Sequence, residues 1–367
     1  MAENTGIEWT WLVLPKGFVM GDGTVLEEEL IIPGYTMNAW WGCVEVSPGC
    51  AHCYAKTWDK RMGGNNWGLH GTRRMMSEAN MRKPYKWNED AKKKGIQPFV
   101  FASSMADVFE DHPQVMDARN RLFKAMEETP HLVWLMLTKR IENVERMAPA
   151  HWLAGGWPTN VWLGTTVENQ PMADRRLPEL LKYAELAPRL FLSCEPLVGW
   201  VDLDKPYPFR LRGMEGTIKP LTGDWRPAPD EPVAPHTGTP YKLSWVIIGG
   251  ESGDNVQGIR PMHPRWAGRL IGQCEEVGVP VFFKQWGRYL PVAAPMVNPN
   301  TGKPYKHVIM GTDGKTRPAT WNEVLASAGD EWAFADVGKK RAGHEYFGQV
   351  YHGRPQPFPV QERVSIP

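Results

Sequence analysis

Six short apolar runs, each ending in polar residues, constrain the fold of this chain more than any other feature. They are Phe99–Ala102, Leu132–Leu137, Val161–Leu163, Leu190–Leu192, Trp245–Ile248 and Val281–Phe283. Each is of strand length and rich in Val, Ile, Phe or Trp, residues that fit a pleated sheet. Helical stripes separate several of them. Val115, Met116, Leu122, Phe123 and Met126 mark one stripe between the first two runs. Trp266, Leu270 and Cys274, with Ile271 alongside, mark another before the last run. This alternation predicts an α/β fold: a parallel sheet with helices outside it, open or closed as a barrel.

The polar endings give that sheet a working side. In order they are Ser103-Ser104-Met105-Ala106-Asp107, Thr138-Lys139-Arg140, Thr165-Thr166-Val167-Glu168, Ser193-Cys194-Glu195, Gly249-Gly250-Glu251-Ser252 and Lys284-Gln285-Trp286. One polar ending means little, because polar residues also cap helices. Six in succession predict a site, since the carboxyl ends of parallel strands share one face. Two regions break the pattern. Residues 203–242 carry eight prolines and read as a lid or a surface loop. Residues 288–367 lack the alternation, and turn signals at 298–302 and 311–314 predict hairpins or an irregular cap.

Cys43, Cys50 and Cys53 fall within eleven residues. Three close thiolates with no fourth can hold three irons of a 4Fe–4S cluster and leave one iron open to a ligand. Zinc competes, but a structural zinc site wants four ligands, often as two pairs. Cys194 and Cys274 are distant and isolated, so no second pair is evident. Unligated thiols are the third reading. Gly49 permits close approach of a bulky group. His52 and Tyr54 flank Cys53 and suit packing beside a cluster or a planar base, although a hydrogen-bonding surface histidine is an equal reading of His52.

The totals narrow the class. With 42 Lys+Arg against 41 Asp+Glu, a basic coat is excluded but a local basic groove is not. No apolar run approaches bilayer length and the first residues do not read as a signal peptide, so a soluble, cytoplasmic protein is expected. Five cysteines in 367 residues do not suggest a disulfide framework. The eighteen tryptophans are expected mainly in the core.

Several segments together resemble a known family. They are Thr5-Gly-Ile-Glu-Trp-Thr10, Trp41-Gly-Cys43, Ser47-Pro-Gly-Cys50-Ala-His-Cys53-Tyr-Ala55, Ser104-Met-Ala-Asp107, Leu137-Thr-Lys-Arg140, Leu163-Gly-Thr-Thr-Val-Glu168-Asn, Ser193-Cys-Glu195-Pro-Leu, Gly249-Gly-Glu-Ser-Gly253, Phe283-Lys-Gln-Trp-Gly287 and Val337-Gly-Lys-Lys-Arg-Ala-Gly343. They resemble the phage-associated three-cysteine-motif family, which is similar to the radical S-adenosylmethionine (radical SAM) enzymes. The resemblance implies a partial (βα) TIM-like barrel of the radical SAM type over residues 36–287, with the cluster loop at 43–53 and an insertion at 203–242. Residues 1–35 are then an N-terminal segment whose insertion at 11–35 decorates the surface, and 288–367 a C-terminal extension. The common radical SAM loop places three residues between its first two cysteines; this chain has six, as the resembling family does.

The resemblance also implies chemistry. Cys43, Cys50 and Cys53 would hold a 4Fe–4S cluster, and S-adenosylmethionine would chelate the open iron. An electron from an outside donor would yield a 5′-deoxyadenosyl radical that takes hydrogen from a substrate. Ser104 and Asp107 are assigned to the methionine amino end, Tyr54 to the cofactor's side, Thr166 and Glu168 to ribose, and Gly249 and Gly250 to close approach of adenine. Gly249-Gly250-Glu251 has the letters of the methionine-binding segment common in radical SAM enzymes but falls too late in the chain to be it. Lys139, Arg140, Glu195, Glu251, Lys284 and Gln285 are left for substrate. Lys139 or Arg140 suits a carboxylate or phosphate, or equally a salt bridge to Glu195 or Glu251. The substrate expected is a modified pyrimidine in phage DNA, flipped out and then isomerised or rearranged, in the cytoplasm of a bacterial host. Basic and aromatic stretches at Arg73-Arg74, at residues 82–87 and at Lys339-Lys340-Arg341 suit a phosphate backbone and stacked bases. A small-molecule or peptide substrate, and a non-catalytic metal-binding module, are the alternatives.

Overall fold

A computed structural model of the chain describes residues 5–231, 233–253, 258–327 and 331–357. Each apolar run is a strand, and a short seventh strand precedes the cysteine loop. In chain order they are β1 Tyr35–Met37, β2 Phe99–Ala102, β3 Val133–Thr138, β4 Val161–Thr166, β5 Leu190–Cys194, β6 Trp245–Gly249 and β7 Val281–Gln285. They form one seven-stranded parallel sheet in the order β7-β6-β5-β4-β3-β2-β1. Helices lie between them: α1 Tyr54–Arg61 and α2 Lys83–Lys94 before β2, α3 Met116–Glu127 before β3, α4 Gln170–Leu181 before β5 and α5 Pro264–Glu276 before β7. Local chemistry starts the last two. The Asn169 side chain accepts from Met172 N and the His263 ring from Arg265 N, each with a proline in the first turn.

The sheet is curled. Phe99 on β2 and Trp245 on β6 stand four strands apart, which in a flat sheet is about 19 Å. Their ring centroids are 6.5 Å apart, so the strands bend round into a half-barrel. Strands β2, β4, β5 and β6 are buried at every position, which is why their sequences are continuous apolar runs instead of alternating ones. Aromatic rings fill the concave side. Trp9, carried by the turn Glu8–Thr10, meets Phe101 at 4.8 Å and Trp245 at 6.0 Å, both edge-on. Phe99 meets Trp162 at 5.4 Å. Gly164 leaves room for Phe191, whose ring would lie 2.5 Å from an added Cβ.

The flanking regions stay outside this frame. Leu12–Leu14 and Leu30–Ile32 pair antiparallel; the second strand is largely exposed, but Leu12 and Leu14 are buried in the main core and Tyr35 belongs to β1, so residues 11–35 are only partly surface decoration. Within 203–242, Tyr207–Pro208, Gly216–Lys219 and Asp224–Pro227 form a three-stranded antiparallel sheet. It is fastened to α4 where Gln170 Nε2 donates to the Tyr207 hydroxyl at 3.0 Å. None of its described residues borders the central cavity, so this excursion is a side sheet and not a lid. Beyond β7, Tyr289–Val292, Trp332–Asp336, His307–Met310 and Thr316–Ala319 form a four-stranded sheet in that order, with the turn at 311–314 closing a hairpin. Among the described residues no helix is long and apolar enough to cross a membrane.

Candidate functional site

A cavity of about 780 Å³ opens at the carboxyl ends of the strands. Trp9 and Phe101 form part of its floor, and all three loop cysteines line it. The sheet contributes Thr36 from β1, Ser103 and Ser104 after β2, Thr138 and Lys139 at β3, Thr166 at β4, Ser193 and Glu195 at β5, Gly250 and Glu251 after β6, and Lys284 at β7. Trp58 and Arg61 of α1, and Lys339, also line it; Trp58 is 54% exposed.

The cysteine loop has little regular structure of its own beyond the short turn Pro48–Cys50. Its backbone groups must therefore find partners elsewhere, and four arginine–carboxylate pairs supply them. The Arg73–Glu110 pair is buried, at 2.8 Å, and Glu110 Oε1 accepts from Val44 N at 3.0 Å. Arg140 pairs with Asp107 at 2.9 Å, donates to Val44 O at 2.7 Å and reaches Cys43 Sγ at 3.3 Å. Arg176 pairs with the fully buried Glu168 at 2.8 Å, and Glu168 accepts from Ser47 Oγ and, at 3.3 Å, from Gly49 N. Arg260 pairs with Glu251 at 2.5 Å and donates to Pro48 O at 2.9 Å, while Glu251 meets His52 Nδ1 at 2.9 Å. A buried carboxylate is tolerated because its arginine compensates it, and each pair has atoms left over to grip the loop.

Glycine at position 49 follows from this packing. An added Cβ would lie 2.8 Å from Glu168 Oε1, so the close approach that Gly49 allows is to that carboxylate. Electrostatics follow the same geometry. Burial alone would raise the Glu251 carboxyl, but the hydrogen bonds from Arg260 and His52 outweigh it and hold the group below its ordinary value. Burial pushes the Cys43 thiol up to about 12, with Arg140 opposing and Asp107 and Glu110 reinforcing the rise. The Arg140 guanidinium is raised in turn: burial lowers it, and Asp107 and Cys43 more than offset this.

Tyr54, Ser104, Lys139, Thr166, Glu195 and Lys284 all line the cavity. The Tyr54 hydroxyl donates to Ser104 O at 2.7 Å, and Ser104 Oγ accepts from Asn38 Nδ2 at 3.0 Å. Lys139 Nζ reaches Thr166 Oγ1 at 3.4 Å and has no carboxylate partner among the described residues. Lys284 Nζ pairs with Glu195 Oε1 at 2.5 Å, and Gln285 Nε2 donates to Gly250 O at 3.1 Å. Others are committed elsewhere. Asp107, expected at a methionine amino group, is taken by Arg140, by Thr138 Oγ1 at 2.6 Å and by Lys139 N at 3.0 Å. Glu168, expected at ribose, faces the cysteine loop, and Glu251, expected at substrate, is shared between Arg260 and His52. Glu168, Gly249 and Gln285 lie behind the cavity wall. At Gly250 an added Cβ would fall 1.9 Å from Trp286 O, so packing of β6 on the β7 end requires that glycine.

Two of the basic, aromatic stretches also serve packing. Arg73 is buried against Glu110, and Trp87 stacks on Tyr35 with centroids 4.4 Å apart. Glu110, Arg176, Arg260 and Ser47 are positions to which the sequence gave no role, whereas Arg73, expected at a phosphate backbone, is buried against Glu110. The paired arginines and carboxylates are separated by 37, 33, 8 and 9 residues in the order given above, a spacing that carries no motif.

Among the described residues, no three His, Cys, Asp or Glu side chains converge as a site for one metal ion. The three thiols instead line a common cavity, an all-sulfur donor set of the kind that holds iron–sulfur clusters. Ser103 Oγ is buried at the same cavity with no hydrogen-bond partner among the described residues. A buried hydroxyl of this kind calls for a ligand or a water. The three thiols and this hydroxyl share one cavity, and their chemistry suits a group bound through sulfur.

A protein-family profile described as "Protein of unknown function (DUF5131)" matches residues 32–355. No curated protein matches the chain. Among solved structures, a spore photoproduct lyase mutant with dinucleoside spore photoproduct is similar at 16% identity with a TM-score of 0.30. That match covers 43% of this chain and 44% of the lyase, so this chain spans less than half of it.

Proposed function

We propose that this chain, which belongs to the DUF5131 family, is a radical SAM enzyme acting on a modified base in nucleic acid. The observation that carries the reading is the placement of Cys43, Cys50 and Cys53. They follow β1 and line the cavity at the carboxyl mouth of a seven-stranded parallel half-barrel. Cys43, Cys50 and Cys53 would hold a 4Fe–4S cluster, which with S-adenosylmethionine supplies, on one-electron reduction, a radical able to take hydrogen from an unactivated carbon.

The chain's own residues divide the remaining work. Lys139 offers an ammonium without a carboxylate partner and Ser103 an unpaired hydroxyl, which together suit the carboxylate of S-adenosylmethionine. Ser104, Thr166 and the Gly250 backbone line the same wall and suit its amino, ribose and adenine groups; Tyr54 fixes the loop to Ser104 O. The aromatic floor of Trp9 and Phe101 keeps water from below. Glu195 and Lys284 face the cavity as a pair, able to orient a polar substrate or move a proton at Glu195 Oε1.

A nucleic-acid substrate is favoured by the lip. Trp58 presents a half-exposed ring, and Arg61 and Lys339 border the same opening. A base can stack on such a ring while cations meet its phosphates, and a base in a duplex must be flipped to enter. Isomerisation or rearrangement of a base substituent suits radical chemistry, with an electron-donor partner supplying reduction. The test is anaerobic incubation with DNA carrying candidate modified pyrimidines, followed by mass spectrometry of the nucleosides. An isomer or mass change, with deuterium passing from substrate into 5′-deoxyadenosine, supports the reading. Formation of 5′-deoxyadenosine with no change in any nucleoside transfers the substrate to the small-molecule or peptide class.

A further inference from the structure

We propose that Arg140 is a positioning residue that sets the reduction potential of the cluster through Cys43. This rests on the functional reading above. Arg140 Nη1 lies 3.3 Å from Cys43 Sγ, and its Nη2 donates to Val44 O at 2.7 Å. The side chain is 8% exposed, so water screens its charge weakly. It cannot swing away without abandoning both the loop carbonyl and Asp107, 2.9 Å distant.

Asp107 and Glu110 oppose this charge at the sulfur, but Arg140 alone of the three also donates a hydrogen bond to it. The two Asp107 oxygens also accept from Thr138 Oγ1 at 2.6 Å, Lys139 N at 3.0 Å and Phe109 N at 3.1 Å. Its negative charge is thus spread over several donors, while one guanidinium N–H stays directed at the thiol. The other two cysteines differ. Cys50 has the Ser47 hydroxyl at 3.7 Å, and Cys53 has the amides of Ala55 and Lys56 at the start of α1. The Lys139 charge also acts on Cys53, but only Cys43 receives a hydrogen bond from a cationic side chain among the described residues.

Hydrogen bonds to cluster sulfurs and nearby charge are what tune such potentials. Reduction adds one negative charge, and a fixed cation beside Cys43 favours the reduced state. Arg140 therefore raises the potential and widens the range of donors able to deliver the electron. Asp107 enters as the residue that aims Arg140.

The test compares wild type, Arg140→Gln, Arg140→Lys and Arg121→Gln after anaerobic reconstitution, with iron and sulfide measured first. Redox titration followed by electron paramagnetic resonance then gives each midpoint. The Arg140→Gln cluster is expected to show at least a tenfold lower ratio of reduced to oxidised cluster at fixed potential, about 59 mV for one electron. Arg121→Gln, which removes an exposed cation paired with Glu78 and not bordering the cavity, is expected to stay within twofold of wild type. Arg140→Lys keeps the cation and is expected within threefold. If Arg140→Gln fails to load iron, a loaded Arg140→Lys within threefold still supports the proposal; failure of both to load shows a loop-holding role alone and overturns it. An Arg140→Gln cluster within twofold of wild type also overturns it. A wild-type protein that takes up no cluster sinks the functional reading itself, a separate result.

Discussion

Glu168→Gln should cost the protein about 3–5 kcal/mol of stability, the scale for removing one partner of a buried ion pair. The side chains of Glu168 and Arg176 are 0% and 1% exposed and lie 2.8 Å apart. Neutralising Glu168 leaves a guanidinium out of water without a countercharge, and one amide oxygen must then replace two carboxylate oxygens, with Thr166 O at 2.9 Å as the other acceptor for Arg176. It also weakens the bonds from Ser47 Oγ and Gly49 N that hold the cysteine loop, each worth about 1.5–3 kcal/mol when the acceptor is charged. Urea unfolding followed by tryptophan fluorescence reads the global term. Iron retained after reconstitution and dialysis reads the local one. Ser47→Ala separates the two: it should lower iron retention while shifting global stability by no more than about 3 kcal/mol. The paired variant Glu168→Leu with Arg176→Met removes both charges and should recover much of the global loss. A Glu168→Gln protein within about 1 kcal/mol of wild type, with full iron, would refute the anchoring role.

Other consequences are as direct. Cys43→Ala, Cys50→Ala or Cys53→Ala should each abolish cluster assembly, whereas Cys194→Ala and Cys274→Ala, both buried away from the cavity, should leave iron content unchanged. Lys139→Ala should weaken S-adenosylmethionine binding by roughly tenfold to a hundredfold, the loss of one charged hydrogen bond, with the cluster intact; calorimetry under anaerobic conditions checks this. Glu251 has a lowered carboxyl pKa in the fold, so its contribution is fully present above the ordinary value of 4.5 and is lost as pH falls through the folded value. Acid titration of the apoprotein should therefore show the loop loosening below about pH 4.5, and Glu251→Gln should remove that pH dependence. Trp58→Ala should weaken single-stranded DNA binding by about 1–3 kcal/mol without altering iron content, measured by fluorescence anisotropy at fixed salt.

Much of the frame was legible in the sequence, and the reasons are physical. A parallel strand buried on both faces must be a continuous apolar run, and six such runs are present, each becoming a strand of one sheet. The exception is β1, Tyr35–Met37, too short at three residues to leave a pattern. The cysteine loop was legible because thiolates at close spacing have few uses. The role of the acidic strand ends was not. Asp107, Glu168 and Glu251 are the residue type that binds ligands, and sequence cannot show that each already faces an arginine. Arg176 looks like a solvated charge on α4 until the fold buries it. Ser103 was legible only as part of a polar strand end, because what sets it apart from Ser104 is the absence of a partner in a formed cavity.

One measurement tests the cysteine site most directly: anaerobic reconstitution of the full chain with iron and sulfide, reduction, and addition of S-adenosylmethionine. Close to four irons and four sulfides per chain, the content of one cubane, are expected. The reduced protein should show a paramagnetic signal that changes when S-adenosylmethionine is added, and 5′-deoxyadenosine should accumulate. Uptake of zinc without iron, with no 5′-deoxyadenosine formed, would contradict the account and leave Cys43, Cys50 and Cys53 as ligands of a non-catalytic metal site.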